Sequence, residues 1–159
     1  MKRAAQLQPL ARQHHLGLNL SRHAKECPDE PDAIAKHWLN ITSYINEMQS
    51  HFQIETNLIA HALQPYRRDK PEVASVLNTL EAQHKSLEAL IAEIQASPKF
   101  QSVHVTVGQI KELATLLYDH IRFEERELFP IVERYLTTEQ LDVIYDASPD
   151  STKRSDENR

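Results

Sequence analysis

The sequence predicts an all-α fold: an antiparallel up-down-up-down four-helix bundle with a short C-terminal helix. Apolar residues recur at helical spacing through most of the 159 residues, and no stretch shows the alternation typical of a strand. The chain has two glycines and eight prolines, and most of the prolines lie between the apolar stripes. Four long stripes with short links favour a bundle in which each helix runs antiparallel to the next.

A proline-rich break separates the first two predicted helices. The first helix covers about residues 5–26, and its apolar stripe begins at Leu7. The segment 27–32, with the sequence CPDEPD, carries two prolines and acidic residues that favour a new helix start. The second helix covers about residues 32–64 and ends at Pro65.

The third and fourth predicted helices are equally long. The third covers about residues 71–96 and ends at Ser97-Pro98. The fourth begins between about residues 102 and 108 and continues to about residue 136. Pro130 lies inside this fourth helix, and we expect it to bend the helix because it removes one backbone donor.

The C-terminal region is predicted to add one short helix and a tail. Thr137 or Thr138 is suited to cap a fifth helix that ends near Ala147. The remaining residues are almost entirely polar. We therefore expect one domain over residues 1–147, followed by a disordered polar tail over residues 148–159.

The composition of the chain limits the classes of partner and the cellular compartment that we expect for the protein. The net charge of −5 argues against nucleic acid as a partner, because phosphate binding needs a clustered basic surface. No apolar run approaches the roughly 18 residues needed to span a bilayer, and the basic N-terminus lacks the apolar centre of a signal peptide. Cys27 is the only cysteine, so no intrachain disulfide forms. We expect a cytoplasmic protein with neither a membrane nor a nucleic-acid partner.

Histidine and glutamate residues interrupt the apolar stripes of the long helices. His84 lies in the centre of the third stripe. His51 and Glu55 share the second stripe, and His120 and Glu124 share the fourth, because residues four apart lie on one helix face. Buried imidazoles and carboxylates cost free energy unless they are paired or bound to a cation. These residues therefore predict a metal site inside the bundle.

On the first helix, either His14 or His15 completes this set. His14 lies four residues after Leu10 and four before Leu18, whereas His15 points about 100° further round the helix. The stripe favours His14 and leaves His15 open as the alternative. Imidazole and carboxylate ligands without a thiolate suit iron, manganese or zinc. Two metal ions bridged by two glutamates would satisfy all six groups.

Four segments together resemble the hemerythrin-like, HHE cation-binding domain family: ARQHHLGL (11–18), HFQIE (51–55), EAQHKSLEAL (81–90) and DHIRFEERELFP (119–130). The resemblance implies a centre of two non-haem iron ions bridged by oxygen and by carboxylates. It also implies terminal ligands and bridging glutamates at these positions: His14 or His15, His51, His84 and His120, with Glu55 and Glu124.

The third helix departs from the oxygen-carrying hemerythrins, which place two histidines four residues apart there. In this chain Leu80 precedes His84 by four residues and Glu88 follows it by four. The pattern of four histidines and two glutamates is closer to the di-iron domain of iron–sulfur-cluster repair proteins. A missing ligand leaves an open coordination position, which puts classical oxygen transport in doubt.

The resemblance therefore predicts a di-iron protein that binds or reduces a small ligand, namely O2, NO or peroxide, at an open iron site. A redox partner protein would fit such a reaction. Whether the chain is an enzyme stays open at this point. One alternative is an iron-responsive regulatory module with a structural metal centre and no turnover. A second alternative is a metal-free helical scaffold.

Overall fold

The computed structural model describes residues 3–95 and 105–154, and all regular structure in these two ranges is helical. The predicted all-α bundle is thereby confirmed. The first helix packs against the second and the fourth, and the third packs against the fourth. Within the described ranges, no helix combines the length and the apolar character needed to cross a membrane.

The first bundle helix is α1, Gln8–Lys25, which follows a short 3₁₀ turn, Ala5–Leu7. Pro9 lies in the first turn of α1, where its missing N–H costs nothing because the first N–H groups of a helix have no intrahelical acceptor. Basic residues in the last turn of α1 lie near the negative end of the helix dipole, where their positive charge is stabilising.

The second bundle helix is interrupted twice, whereas the sequence predicts one unbroken helix. It consists of four segments: α2, Pro31–Glu47; α3, Gln49–Ile54; a π-helical turn, Glu55–Ile59; and α4, Ala60–Leu63. At the first interruption, the backbone N–H of Met48 faces the carbonyls of Tyr44, Ile45 and Asn46. Apolar periodicity does not reveal either interruption, because both keep the chain close to helical conformation.

The third bundle helix is α5, Pro71–Gln95. The fourth consists of α6, Val107–Phe123; a π-helical turn, Glu124–Leu128; and α7, Phe129–Tyr135. Thr106 caps α6 through a reciprocal pair of hydrogen bonds with Gln109. The predicted helix end at Ser97-Pro98 lies outside the described residues. Pro130 lies in the first turn of α7, directly after the π-helical turn, rather than within an unbroken helix.

The C-terminal helix α8, Thr138–Ala147, is capped by Thr137 through a capping box with Gln140. The sequence predicts disorder from residue 148, but the structure differs over residues 148–154. Ser148 is buried, and a 3₁₀ turn, Asp150–Thr152, accepts a hydrogen bond from Arg12 at the Thr152 carbonyl. The rest of the predicted tail, residues 155–159, lies outside the described residues.

In the described residues, two clusters of buried apolar side chains form the core, and they pack at opposite ends of the bundle. On α1 the residue Leu10 belongs to one cluster and Ala24 to the other. On α5 the clusters likewise change between Leu80 and Leu87. The change on each of these helices falls at the position of a predicted metal ligand. A polar layer therefore separates two apolar layers across the bundle.

Candidate metal centre

Six of the seven predicted ligands meet in this polar layer, and we call them the His/Glu cluster: His14, His51, Glu55, His84, His120 and Glu124. Five of the six are almost fully buried, with 0–1% of their surface exposed. His84 is the exception, since 16% of its side-chain surface is exposed. His15 lies on the exposed face of α1 and does not join the cluster.

Each glutamate of the cluster begins a π-helical turn. Glu55 begins the turn Glu55–Ile59, and Glu124 begins the turn Glu124–Leu128. In both turns the carbonyl of the glutamate accepts a hydrogen bond from the N–H five residues later. Each histidine–glutamate pair thus keeps ordinary four-residue spacing, and the backbone widens directly after it. Turns of this kind recur at functional sites in helices.

The cluster divides into two groups, each with two histidines and one carboxylate. We call His14, His51 and Glu124 the His14 half-site, and Glu55, His84 and His120 the His84 half-site. Within each half-site the donor atoms lie within 4.8 Å of one another. These two groups suggest a binuclear metal site.

Both carboxylates reach across the two half-sites. Glu55 Oε2 lies 2.9 Å from Nε2 of His51, and its Oε1 lies 2.8 Å from Nε2 of His84. Glu124 Oε2 lies 3.2 Å from Nε2 of His51, and its Oε1 lies 2.9 Å from Nε2 of His120. Each glutamate presents one oxygen to each half-site, which is the placement that a bridging carboxylate requires.

The donor atoms themselves show that the cluster fits metal ions. Four of the cluster's buried donor atoms have no hydrogen-bond partner among the described residues: His14 Nε2, Glu55 Oε2, His120 Nε2 and Glu124 Oε1. His120 Nε2 and Glu124 Oε1 are only 2.9 Å apart, yet they do not align as a hydrogen bond. An unsatisfied buried polar atom costs about 1–3 kcal/mol. Cations between these atoms would satisfy all four.

Three of the four histidines are held in place through their second ring nitrogen. Gln13 Oε1 accepts from Nδ1 of His51 at 2.9 Å, and Gln83 Oε1 accepts from Nδ1 of His120 at 2.7 Å. Glu125 Oε2 lies 3.0 Å from Nδ1 of His14. Acceptors of this kind fix the tautomer and leave Nε2 free to bind a metal.

The sequence pattern does not identify Gln13, Gln83 or Glu125 as supports of the histidines. Each of the three directly precedes or follows a cluster residue on its own helix, but it holds a histidine of a neighbouring helix. An amide directly before His14 and before His84 is the signal that was available. The identity of the partner helix becomes visible only in the folded chain.

The charges within the cluster shift the pKa values of its members. Burial alone would lower the pKa of His51, but the Glu55 and Glu124 carboxylates outweigh burial and raise it to about 10. The same opposition, with Glu124 foremost, raises the pKa of His120 to about 10. Burial favours a neutral Glu124, but the neighbouring His120 and His51 hold its pKa well below the usual value. Metal ions must therefore displace protons from these histidines when they bind.

The surroundings of the two half-sites differ. Phe129 stacks on the ring of His14 at 5.6 Å between centroids, which helps to seal that side. His84 instead lines two cavities of about 430 Å³ and 260 Å³ that lie between the second and third bundle helices. Leu80, one turn before His84 on the third bundle helix, also lines the smaller cavity, and its side chain has no atom that binds a metal.

Gly17, one turn after His14, allows close packing on the sealed side. A Cβ atom at this position would lie 2.6 Å from the Tyr44 ring and 2.6 Å from Cδ1 of Ile121. Tyr44 donates a hydrogen bond of 2.6 Å to the backbone carbonyl of Gln13, directly beside His14. The absence of a side chain at Gly17 therefore allows α1 to pack closely against α2 and α6.

Comparison with known families agrees with this geometry. The family described as "Hemerythrin HHE cation binding domain" matches residues 6–132, a span that contains the whole His/Glu cluster. Neither a curated protein nor a solved structure matches the chain. The family match covers far more than half of the 159 residues. The chain therefore belongs to the hemerythrin HHE cation-binding domain family.

Proposed function

We propose that the protein holds two non-haem iron ions and binds or reduces a small ligand, namely O2, NO or peroxide, at an open iron position. The observation that carries this proposal is the composition of the half-sites. Each contains two histidines and one carboxylate, a donor set typical of non-haem iron(II) with open coordination positions. Iron bound there would supply a redox-active Lewis acid.

The residues have distinct tasks in this proposal. The four histidines would each bind one iron ion through Nε2. Glu55 and Glu124 would bridge the two ions and offset part of their positive charge. Gln13, Gln83 and Glu125 would keep three imidazole rings oriented. The apolar clusters on both sides would keep bulk water away from the centre.

The single histidine of the third helix favours ligand chemistry over reversible oxygen carriage. Leu80 occupies the position four residues before His84 and is buried among apolar neighbours. The pattern of four histidines and two glutamates is closest to that of the di-iron domain of iron–sulfur-cluster repair proteins. An external ligand would bind at the open iron position, and a redox partner protein would supply electrons.

Metal analysis combined with spectroscopy tests the proposal. Plasma mass spectrometry of untagged protein should give about two irons per chain, and the visible spectrum should show charge-transfer bands of a ferric pair. Adding NO to the reduced protein, or peroxide to the oxidised protein, should change that spectrum. Protein that takes up no metal after anaerobic loading with ferrous iron would exclude the di-iron centre and leave the metal-free scaffold.

A regulatory module with a structural metal centre is the second candidate. The observation in its favour is that the cluster lies between the two apolar core clusters and takes residues from all four bundle helices, so that metal ions bound there would hold the helices together at the centre of the core. Iron-loaded protein that is stable, loses its folded structure with a chelator, and turns over none of the three ligands would favour this function over the first.

A further inference from the structure

Access to the cluster is confined to one side of the bundle in the described residues. His14, His51 and Glu124 have 0–1% of their surface exposed, whereas His84 is partly exposed and faces both cavities. Thr56 lines both cavities together with His84 and is itself exposed. An external ligand that approaches from solvent therefore meets the His84 half-site first.

Phe52 stands between the larger cavity and the buried histidines. Its ring lies 5.2 Å from the ring of His84, 5.9 Å from that of His120 and 6.1 Å from that of His51. Phe52 is only partly buried, and it also lines the 430 Å³ cavity. A shorter side chain at this position would join the cavity to the cluster, and a larger one would fill the passage.

The lining of the larger cavity favours uncharged ligands. Ile45, Leu87 and Ile91 give it apolar walls, and Gln49 and Gln53 add neutral amides. Glu88 adds a carboxylate to this lining, and its negative charge repels anions. A small neutral molecule can cross such a lining without losing strong hydration, whereas an anion must shed hydration near a like charge.

We propose that small neutral ligands reach the metal at the His84 half-site through this cavity, and that Phe52 sets the size of ligand admitted while Glu88 disfavours anions. The inference rests on the proposed di-iron function and adds to it the side of access and the class of ligand. Phe52 contacts the histidines of the cluster and would not bind the metal itself. Its role is therefore to control which ligands reach the metal, and not to take part in the reaction.

Ligand-binding rates of the iron-loaded protein test this assignment. Stopped-flow absorption would follow NO binding to the reduced protein and azide binding to the oxidised protein. Phe52→Ala should accelerate azide binding by about tenfold or more, and Phe52→Trp should slow both ligands by a similar factor. Glu88→Gln should accelerate azide severalfold and leave the NO rate unchanged, because only the anion experiences its charge.

Two further variants keep the test decisive if changes at Phe52 disturb the metal. Thr56→Phe narrows both cavities from an exposed position and should slow both ligands. Leu16→Trp fills a cavity on the opposite side, beside Gln13 and Tyr44, and should change neither rate. In metal-free protein, Thr56→Phe should also slow the modification of His84 by diethyl pyrocarbonate, which requires no iron.

The outcomes separate the two levels of the proposal. Wild-type protein with two irons that responds to neither NO nor azide would overturn the proposed function together with this inference. Wild-type protein that responds, with rates unaffected by Phe52→Trp and Thr56→Phe but slowed by Leu16→Trp, would leave the function in place and assign access to the His14 side instead.

Discussion

The two half-sites have the same composition and different surroundings. Each has two histidines and one carboxylate, but the His14 half-site is sealed and the His84 half-site borders two cavities. Phe129 and the close contact at Gly17 close the His14 half-site. On the third helix, by contrast, His84 lies at the wall of both cavities. The donor set thus determines which metal fits, and the packing around it determines what else can reach that metal.

Removing a shared carboxylate should have the largest effect, because it damages both half-sites. Glu124 contacts histidines of both, at 3.2 Å to His51 and 2.9 Å to His120. Glu124→Gln keeps the size of the side chain and removes its charge, so metal content should fall from about two to at most about one per chain. The exposed Glu127→Gln provides the matched control. Retention of both metals by Glu124→Gln would refute its bridging role.

Loss of one terminal histidine should affect one half-site and spare the other. His14→Ala should lower the metal content to about one per chain, because the His84 half-site keeps its own donors. His15→Ala should retain both metals, since His15 is exposed. Mass spectrometry of the native protein counts the metals directly. The reverse result would make His15 the ligand and would require α1 to rotate.

The next largest effect is the pH dependence of stability in the metal-free protein, which arises from the protons on the histidines of the cluster. Burial alone would lower the pKa of His51, but the two carboxylates outweigh burial and raise this pKa to about 10. The folded protein therefore binds the proton of His51 more tightly than the unfolded chain does. This contribution to stability is fully present below the unfolded pKa of about 6.5 and is lost as the pH rises through about 10.

Metal-free protein should consequently lose thermal stability between neutral pH and about pH 10. In the metal-loaded protein these histidines are already deprotonated, so this loss should be absent. Calorimetry of both forms at the two pH values measures the difference. An equal loss of stability in both forms would mean that the metal does not occupy these nitrogens.

The supports of the histidines should show a smaller and graded effect on metal affinity. Glu125 provides an anionic acceptor to His14, whereas Gln83 provides a neutral one to His120. Glu125→Ala and Gln83→Ala should each weaken metal binding by about 10–100-fold, measured by competition with a chelator. Glu125→Gln should restore most of the affinity, because an amide oxygen can still accept the hydrogen bond. Equal losses in Glu125→Gln and Glu125→Ala would show that the charge, and not the orientation of the ring, is what matters.

The sequence sufficed to predict the bundle and to place five residues of the cluster on inward faces, because polar residues on an apolar stripe must point inward when the helix packs. On the first helix it left His14 and His15 as alternatives, and the structure brings His14 to the cluster.

The sequence did not predict the π-helical turns at Glu55 and Glu124, since these turns change the hydrogen-bonding pattern and leave the apolar spacing nearly intact. It also did not predict that Gln13 would hold His51, because that contact depends on how two helices face each other. Nor does polar composition reveal the packing of Ser148.

The smallest expected effect tests how tightly the His14 side is packed. Gly17→Ala should lower the free energy of unfolding by about 1–2 kcal/mol, because the added methyl group must displace the Tyr44 ring. Better helix propensity of alanine offsets about 1 kcal/mol of a larger steric cost. Gly108→Ala is the matched control: its Cβ would meet only Thr106 Oγ1, at 3.7 Å, so the variant should be slightly stabilised. Denaturant unfolding of the two variants, with both metals retained, would separate packing from metal binding. Equal stability changes in the two would show that α1 can move away from Tyr44 and Ile121 at no cost, and the sealed side would then owe its closure to Phe129 alone.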